Sequence, residues 1–125
     1  MCVLIVDDEP GIRDSLAELF EDEGYTTLTA ADGGEAMDVL AGKELPCVVI
    51  LDLLMPVMNG NEVYARMQTD PRLAGVPVII TTSDPSLAPS GLLIMKKPIN
   101  VKRLLATVSQ HCQRRAPLAE PPPAS

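Results

Sequence analysis

The sequence predicts an α/β fold in which one doubly wound, five-stranded parallel sheet carries helices on its faces. Three observations lead to this class. Short apolar runs of strand length alternate with segments whose apolar residues recur at helical spacing. Hydrophobic residues make up 46% of the chain, yet only three residues are aromatic, so the core must be aliphatic, as in sheets buried on both faces. A length of 125 residues allows one such domain.

The first two strand–helix units follow in order along the chain. Residues 2–6 form an apolar strand that stops at the acidic turn 7–9, and an amphipathic helix over residues 12–24 ends on a glycine. Residues 25–30 form a threonine-rich strand, which is expected near a sheet edge. The segment 32–42 opens with aspartate, closes with glycine, and has a helical pattern between them.

The third strand is the most informative part of the sequence. Residues 47–51 are uncharged and end on Asp52, so a buried strand is expected to carry one carboxylate to its carboxyl end before Pro56 breaks the chain. Gly60 is expected to permit a turn with positive φ. A third helix is predicted around residues 63–67.

Residues 77–82 and 91–97 supply a fourth and a fifth strand, and Asn100 caps a final helix that runs through Val108. Only nine residues, 83–91, separate these strands, whereas a parallel crossover normally needs a dozen or more. The fourth helix is therefore expected to be missing or reduced to a turn. Residues 114–125 are rich in proline and predict a disordered tail.

Composition restricts the possible partners and the compartment. The net charge of −7 argues against direct contact with nucleic acid or an anionic membrane surface. No signal peptide or membrane-spanning segment is evident, so a cytoplasmic location is expected. Cys2, Cys47 and Cys112 form no CxxC motif and are interpreted as unpaired, small hydrophobic residues of a reducing compartment.

Polar residues stand where the predicted strands end. Asp7 and Asp8 follow the first strand, Asp52 the third, Thr82 the fourth and Lys97 the fifth. Right-handed crossovers place these ends on one edge of the sheet, so the side chains are expected to share a crevice. Two like charges 4 Å apart repel by about 4 kcal/mol at an effective dielectric of 20, so the acids call for a cation, and oxygen ligands suit Mg²⁺. Asp52 is the candidate nucleophile toward a phosphoryl group.

The chain resembles the receiver domain of bacterial two-component response regulators. The resemblance rests on residues 3–10, residues 52–56 with 59–60, residues 76–82, and the pair 97–98. It implies a flavodoxin-like (βα)₅ domain over residues 1–113 that passes on signals and is not an enzyme beyond its own phosphorylation and dephosphorylation.

The resemblance also implies roles for the site residues. Asp52 would accept a phosphoryl group from a sensor histidine kinase or a phosphotransfer protein, and this would switch the binding of an unknown downstream protein. Asp8, Asp52 and the backbone carbonyl of Leu54 would ligate Mg²⁺, and Asp7 would act through water. Lys97 would bind the phosphoryl group, and Thr82 would be the switch hydroxyl.

Two departures from the family pattern keep a second function open. The family usually has an aromatic switch residue where this chain has Ile94, and segment 83–91 is short. A receiver-like interaction module that works without phosphorylation is therefore the alternative. An aspartyl-nucleophile phosphatase is disfavoured, because such enzymes need a second acid where Leu54 stands. His111, the single histidine, lies in the last helix away from the acids and is not expected to carry phosphate.

Overall fold

The computed structural model describes residues 2–88 and 91–115, and within them a five-stranded parallel sheet is covered by four helices. This confirms the predicted fold class. In chain order the elements are β1 (Cys2–Val6), α1 (Pro10–Asp22), β2 (Thr26–Ala30), α2 (Gly33–Leu40), β3 (Val48–Asp52), α3 (Gly60–Thr69), β4 (Val78–Thr82), a 3-10 turn (Pro85–Leu87), β5 (Leu93–Lys96) and α4 (Val101–Arg115).

The sheet has the strand order β2-β1-β3-β4-β5, and every neighbouring pair is parallel. The order reverses between β1 and β3, and this is the place where doubly wound sheets open a crevice at their carboxyl edge. Asp52 ends β3 beside Thr81 of β4, and Thr82 lies beside Lys96 of β5. The ends of three strands therefore meet at this edge.

Two apolar clusters fill the space between the sheet and its helices. Alternate residues of β1 point to opposite faces: Leu4 packs with α2 and α3, whereas Ile5 packs with α1 and α4. We call these the α2–α3 cluster and the α1–α4 cluster. Phe20 is completely buried in the second. Because both faces are covered, the strands are continuous apolar runs.

Local signals set the helix ends as predicted. Asp32, Asn59 and Asn100 each accept a hydrogen bond at the side chain from the backbone N–H three residues further on. Gly24 adopts a φ of 91° just after α1, a conformation that glycine accepts without penalty. The interpretation of Asp32 and Asn100 as helix starts and of Gly24 as a helix stop is thus correct, whereas the capping role of Asn59 was not predicted.

The crossover between β4 and β5 has no α-helix among its described residues, which agrees with the prediction. The chain makes a single 3-10 turn, Pro85–Leu87, whose start is capped by Asp84 through the backbone N–H of Ser86. Asn61 of α3 donates a hydrogen bond to the carbonyl of Leu87 at 3.4 Å. The turn is thereby tied to the neighbouring helix.

The prediction that all three cysteines are unpaired is wrong for two of them. Cys47, just before β3, forms a disulfide with Cys112 of α4, and their Cα atoms lie 5.0 Å apart. The pairing arises because α4 packs across the start of β3, a tertiary contact that a sequence separation of 65 does not reveal. Cys2 is free and buried, as expected.

The expectation for Gly60 also needs correction. Among the described glycines, positive φ occurs at Gly24 and Gly91 and not at Gly60. Gly60 is required for space, since a Cβ there would lie 2.6 Å from the carbonyl oxygen of Asp52. The positive φ of this loop, 68°, belongs to Val57.

The C-terminal part lies only partly within the described residues. Helix α4 includes residues 114 and 115 of the predicted tail, and residues 116–125 lie outside the described part of the chain. No helix within residues 2–88 and 91–115 has the length and apolar character needed to cross a membrane.

Candidate functional site

Asp52 is a buried carboxylate at the end of a buried strand. Five residues of β3 are inaccessible to solvent or nearly so, and Asp52 itself is 4% exposed. The apolar strand fixes the position of its Cα, and the close approach of Gly60 to its carbonyl keeps the following loop against it. The chain therefore holds this acid rigidly at the sheet edge.

Asp7 and Asp8 stand beside Asp52 because β1 is the neighbour of β3. Carboxylate oxygens of the three residues lie within 4.8 Å of one another. Asp7 is buried and Asp8 is exposed, so the cluster opens to solvent on the Asp8 side. Three acids at this separation repel one another strongly unless cations are near.

Lys97 supplies one such cation. Its backbone N–H donates to the carbonyl of Thr82 at 2.8 Å, which continues the β4–β5 pairing by one residue. Its ammonium nitrogen then lies 3.2 Å from Asp7 Oδ2 and 3.3 Å from Asp52 Oδ1. The Lys97–Pro98 peptide bond is cis. One lysine thus bridges two buried acids, and a net negative charge remains.

The pKa values reflect this imbalance. Burial, together with the charge of Asp7, raises the pKa of Asp52 to about 6, although the pairing with Lys97 acts in the opposite direction. Burial alone would lower the pKa of Lys97, but the charges of Asp52 and Asp7 outweigh it and leave that pKa above its ordinary value. The surplus negative charge therefore favours a cation in the site, and the lysine remains charged.

Backbone contacts position Asp7. Its Oδ1 accepts a hydrogen bond from the N–H of Glu9 at 2.9 Å, and its carbonyl accepts one from the Arg13 guanidinium at 2.8 Å. Arg13, on the first turns of α1, was not among the predicted site residues. Nothing in the local sequence distinguishes it from a surface arginine, since its role depends on how α1 folds back over the end of β1.

Thr82 is buried at the end of β4, on the other side of the site. Its hydroxyl oxygen accepts a hydrogen bond from the backbone N–H of Asp84 at 3.1 Å. This bond links the site to the 3-10 turn. Ser83 is exposed and follows directly.

A cavity of about 290 Å³ joins these groups; its lining residues are Asp8, Glu9, Asp52, Leu54, Thr82, Ser83 and Lys97. The polar groups around it are carboxylates, the hydroxyls of Thr82 and Ser83 and one ammonium, and the Leu54 side chain in its lining is half exposed. An oxygen-only set of few ligands with space for water fits a small divalent cation such as Mg²⁺ better than a thiolate- or imidazole-binding metal. The donor set and the acidic cluster are thus of the right chemistry for the predicted ion.

All of the predicted site residues therefore lie at one edge of the sheet. Ile94, at the position expected for an aromatic switch, pairs with Ile80 in the middle of β5 and packs, partly buried, against the α2–α3 cluster. It offers no polar group. Three residues at the site were not among the predicted site residues: Arg13, Glu9 and Ser83.

Comparison with known proteins agrees with this geometry. The sequence profile described as the response regulator receiver domain matches residues 3–109. Sporulation initiation phosphotransferase F of Bacillus subtilis is 48% identical over 66 residues, which are 53% of this chain and 52% of that protein. An uncharacterised 14.6-kDa protein of Leptolyngbya boryana is 33% identical, and the match covers 99% of this chain and 95% of that protein. The chain thus matches about half the length of the first relative and nearly all of the second.

Solved structures show the same architecture. The receiver domain of a signal transduction histidine kinase from Syntrophus aciditrophicus superposes with a TM-score of 0.82 at 30% identity, over 93% of this chain and 92% of that one. The chemotaxis protein CheY4 of Vibrio cholerae gives a TM-score of 0.77 at 31% identity, over 87% and 96%. Both similarities cover most of this chain.

Proposed function

We propose that this chain, which belongs to the response regulator receiver domain family, accepts a phosphoryl group on Asp52 from the phosphohistidine of a sensor histidine kinase or a phosphotransfer protein. The observation that carries the proposal is the convergence of buried Asp52 with Asp7, Asp8 and Lys97 beside one open cavity. Receiver domains are signalling modules, so the transfer acts as a switch that changes the binding of a downstream protein.

Asp52, Lys97 and Thr82 have different roles in the transfer. A carboxylate oxygen of Asp52 attacks the phosphorus, and the histidine nitrogen of the donor leaves with the electrons of its bond to phosphorus. Lys97, already within 3.3 Å of Asp52, pairs with the oxygens of the arriving group. The Thr82 hydroxyl, which donates to the backbone carbonyl of Asp84 at 3.4 Å, turns its proton toward a phosphoryl oxygen. Later attack by water on the phosphorus breaks its bond to the Asp52 oxygen, which releases inorganic phosphate and restores the free carboxylate.

Mg²⁺ would be held by Asp8, Asp52 and the carbonyl of Leu54, with Asp7 acting through water. When bound, the ion neutralises the surplus negative charge of the acids and of the phosphoryl oxygens. The buried position of Asp7, with both carboxylate oxygens already in hydrogen bonds to Glu9 and Lys97, supports its indirect role.

The phosphodonor protein is proposed to dock along a groove beside the site. The groove has a volume of about 470 Å³ and lies between the start of α1 and the loop after β5; its lining includes Gly11, Ile12, Ser15, Leu16, Pro98 and Ile99. Glu9 and Lys97 line both this groove and the acidic cavity, so a partner seated there faces Asp52.

The wider setting follows from the same reasoning. The net charge of −7 disfavours direct binding of nucleic acid or an anionic membrane, so the output is proposed to be a protein contact. A phosphohistidine donor draws its phosphoryl group from ATP, which places the exchange in the cytoplasm.

Phosphorylation is tested by incubating the protein with Mg²⁺ and acetyl phosphate or phosphoramidate and measuring the intact mass. The expected result is one phosphoryl adduct that is lost in Asp52→Asn and kept in Asp38→Asn, a matched change at an exposed position of α2. Ser15→Arg should keep labelling by acetyl phosphate and lose labelling by a phosphorylated histidine kinase. An unlabelled wild type, under conditions that label an ordinary receiver, would refute the proposal.

The second candidate function is an interaction module that works without phosphorylation. It is favoured by Ile94, which cannot act as an aromatic switch, and by the reduction of the fourth helix to the turn Pro85–Leu87. Under this alternative, Asp52→Asn leaves partner binding unchanged and the small phosphodonors have no effect on it. The labelling experiment therefore separates the two candidates.

A further inference from the structure

Two of the three cysteines form a disulfide that has no part in phosphoryl transfer. Cys47 is the residue before β3, the strand that carries Asp52, and Cys112 lies near the end of α4, the last described element. Their disulfide closes a stretch of 65 residues and is buried, with Cys47 7% exposed and Cys112 not exposed at all. It joins the two ends of this stretch through the α1–α4 cluster.

Among the described side chains of α4, the disulfide is the contact with the sheet that lies nearest the C-terminus. The helix buries Leu104, Val108 and Cys112, which recur at one helical face, and Cys112 is the one nearest the C-terminus. Ends of terminal helices fray unless something secures them. Breaking the bond removes the covalent link and leaves the apolar contacts of Leu104 and Val108, those of the partly buried Leu105, and the buried Cys112 thiol.

Both oxidation states are compatible with the fold. The two apolar clusters contain many aliphatic side chains besides these cysteines, and a domain of this size does not need a disulfide to fold. A free cysteine packs as a small hydrophobic residue, so two reduced thiols can stay in the α1–α4 cluster. What changes between the states is how firmly the C-terminal half of α4 is held.

We propose that Cys47 and Cys112 form a reversible thiol–disulfide link that sets the order of the C-terminal half of α4 and so acts as a second, redox input to this domain. Oxidation by a peroxide proceeds in two steps. The thiolate of Cys47, the more exposed of the two, attacks one peroxide oxygen and becomes a sulfenic acid, and the other oxygen leaves as water after protonation. The Cys112 sulfur then displaces water from the sulfenic acid and forms the disulfide.

The balance is two thiols and one hydrogen peroxide giving one disulfide and two molecules of water. A dithiol reverses the change, because it supplies two electrons and two protons and is itself oxidised to a disulfide. Fraying of the helix end admits the reagent to Cys112.

This input is separate from the phosphoryl site. Cys47 precedes the amino end of β3 and Asp52 is at its carboxyl end, about 17 Å away at the usual rise per strand residue. Redox change is therefore expected to alter the surface offered by α4 and to leave the chemistry of Asp52 unaltered.

The link is tested first by counting free thiols. Wild type treated with hydrogen peroxide or with dithiothreitol, then denatured and alkylated, should gain one adduct after oxidation and three after reduction, since the chain has three cysteines. In Cys2→Ala the same treatments should give none and two. Reoxidation of the reduced protein should restore the first count, and a peptide map should show the Cys47–Cys112 bond. Three adducts after both treatments, or a reduced form that cannot be reoxidised, would overturn the proposal.

The second test concerns the helix. Reduction should lower the Tm of wild type and of Cys2→Ala by about 10 °C, given a closed loop of this length, and should speed amide hydrogen exchange in the C-terminal half of α4. The Tm of Cys47→Ala and of Cys112→Ala should not respond to reduction. The rate of labelling by acetyl phosphate should be the same in both redox states. A Tm or an exchange pattern that is unchanged by reduction, or a labelling rate that follows the redox state, would contradict the inference.

Discussion

Replacing Asp52 by asparagine is expected to stabilise the protein when no divalent metal is present. Asparagine keeps the shape of the side chain and removes the charge. The pKa of Asp52 rises from its ordinary value of 3.8 to about 6, first because of burial and then because of Asp7. A tenfold change in proton affinity is worth about 1.4 kcal/mol, so ionised Asp52 costs the folded state up to about 3 kcal/mol at pH 7.5.

The sign of the pH dependence follows from the raised pKa. Because the folded state binds this proton more tightly than the unfolded state, protonation of Asp52 stabilises the fold. This stabilisation is fully present below about pH 4 and is lost as the pH rises through about 6. The advantage of the variant over wild type should therefore be large at pH 7.5, smaller at pH 5, and close to zero near pH 4. For a domain of this size, the advantage at pH 7.5 corresponds to a gain of about 10 °C in Tm.

The assay is thermal unfolding in EDTA at these three pH values, with Asp38→Asn as the control because that exposed carboxylate lies on α2 away from the cluster. Adding Mg²⁺ should raise the Tm of wild type more than that of Asp52→Asn, since the variant has lost a ligand. A free Mg²⁺ concentration of ten times the Kd stabilises the folded protein by about 1.4 kcal/mol. The reasoning is refuted by an Asp52→Asn Tm at or below that of wild type at pH 7.5, or by an advantage that does not fall with pH.

Three further substitutions test other parts of the structure. Lys97→Gln should slow labelling by acetyl phosphate at least tenfold and keep the Mg²⁺-induced Tm shift, because Lys97 pairs with the phosphoryl group and is not a metal ligand. Val57→Gly should raise the free energy of unfolding by roughly 1 kcal/mol, because Val57 is 83% exposed and holds a φ of 68°; a lower urea midpoint would contradict this. Arg72→Ala should lower the free energy of unfolding by about 1–2 kcal/mol, since the guanidinium donates to the carbonyls of Leu40 and Gly42 at the end of α2. An unchanged urea midpoint would show that these hydrogen bonds do not stabilise the fold.

The sheet and most of the site could be predicted because their signals are local. An uncharged run of strand length that ends on Asp52 predicts a buried strand with a carboxylate at its end, and the parallel topology then brings Asp8 and Lys97 to the same edge. The reduced crossover was predictable from the length of segment 83–91 alone. These features depend on composition and chain length.

The features that escaped prediction depend on tertiary contact. The Cys47–Cys112 bond requires that α4 cross the start of β3, and no short motif records that packing. Arg13 contributes through a backbone carbonyl, which is invisible in a side-chain pattern. A β-branched residue at positive φ opposes every local preference, so Val57 could not be recognised as the left-handed residue of its loop.

Thr82 connects the chemistry of the site to the part of the chain that departs from the family. Its hydroxyl oxygen holds the N–H of Asp84, and Asp84 in turn caps the turn Pro85–Leu87. A hydroxyl that turns toward a phosphoryl group on Asp52 loosens this arrangement. Ile94 has no polar group that could form a hydrogen bond with the hydroxyl as it moves. The turn, in contrast, is linked to Thr82 by the hydrogen bonds of Asp84. The structural response to phosphorylation is therefore expected at the 3-10 turn, where the half-exposed side chain of Leu87 is available to a partner.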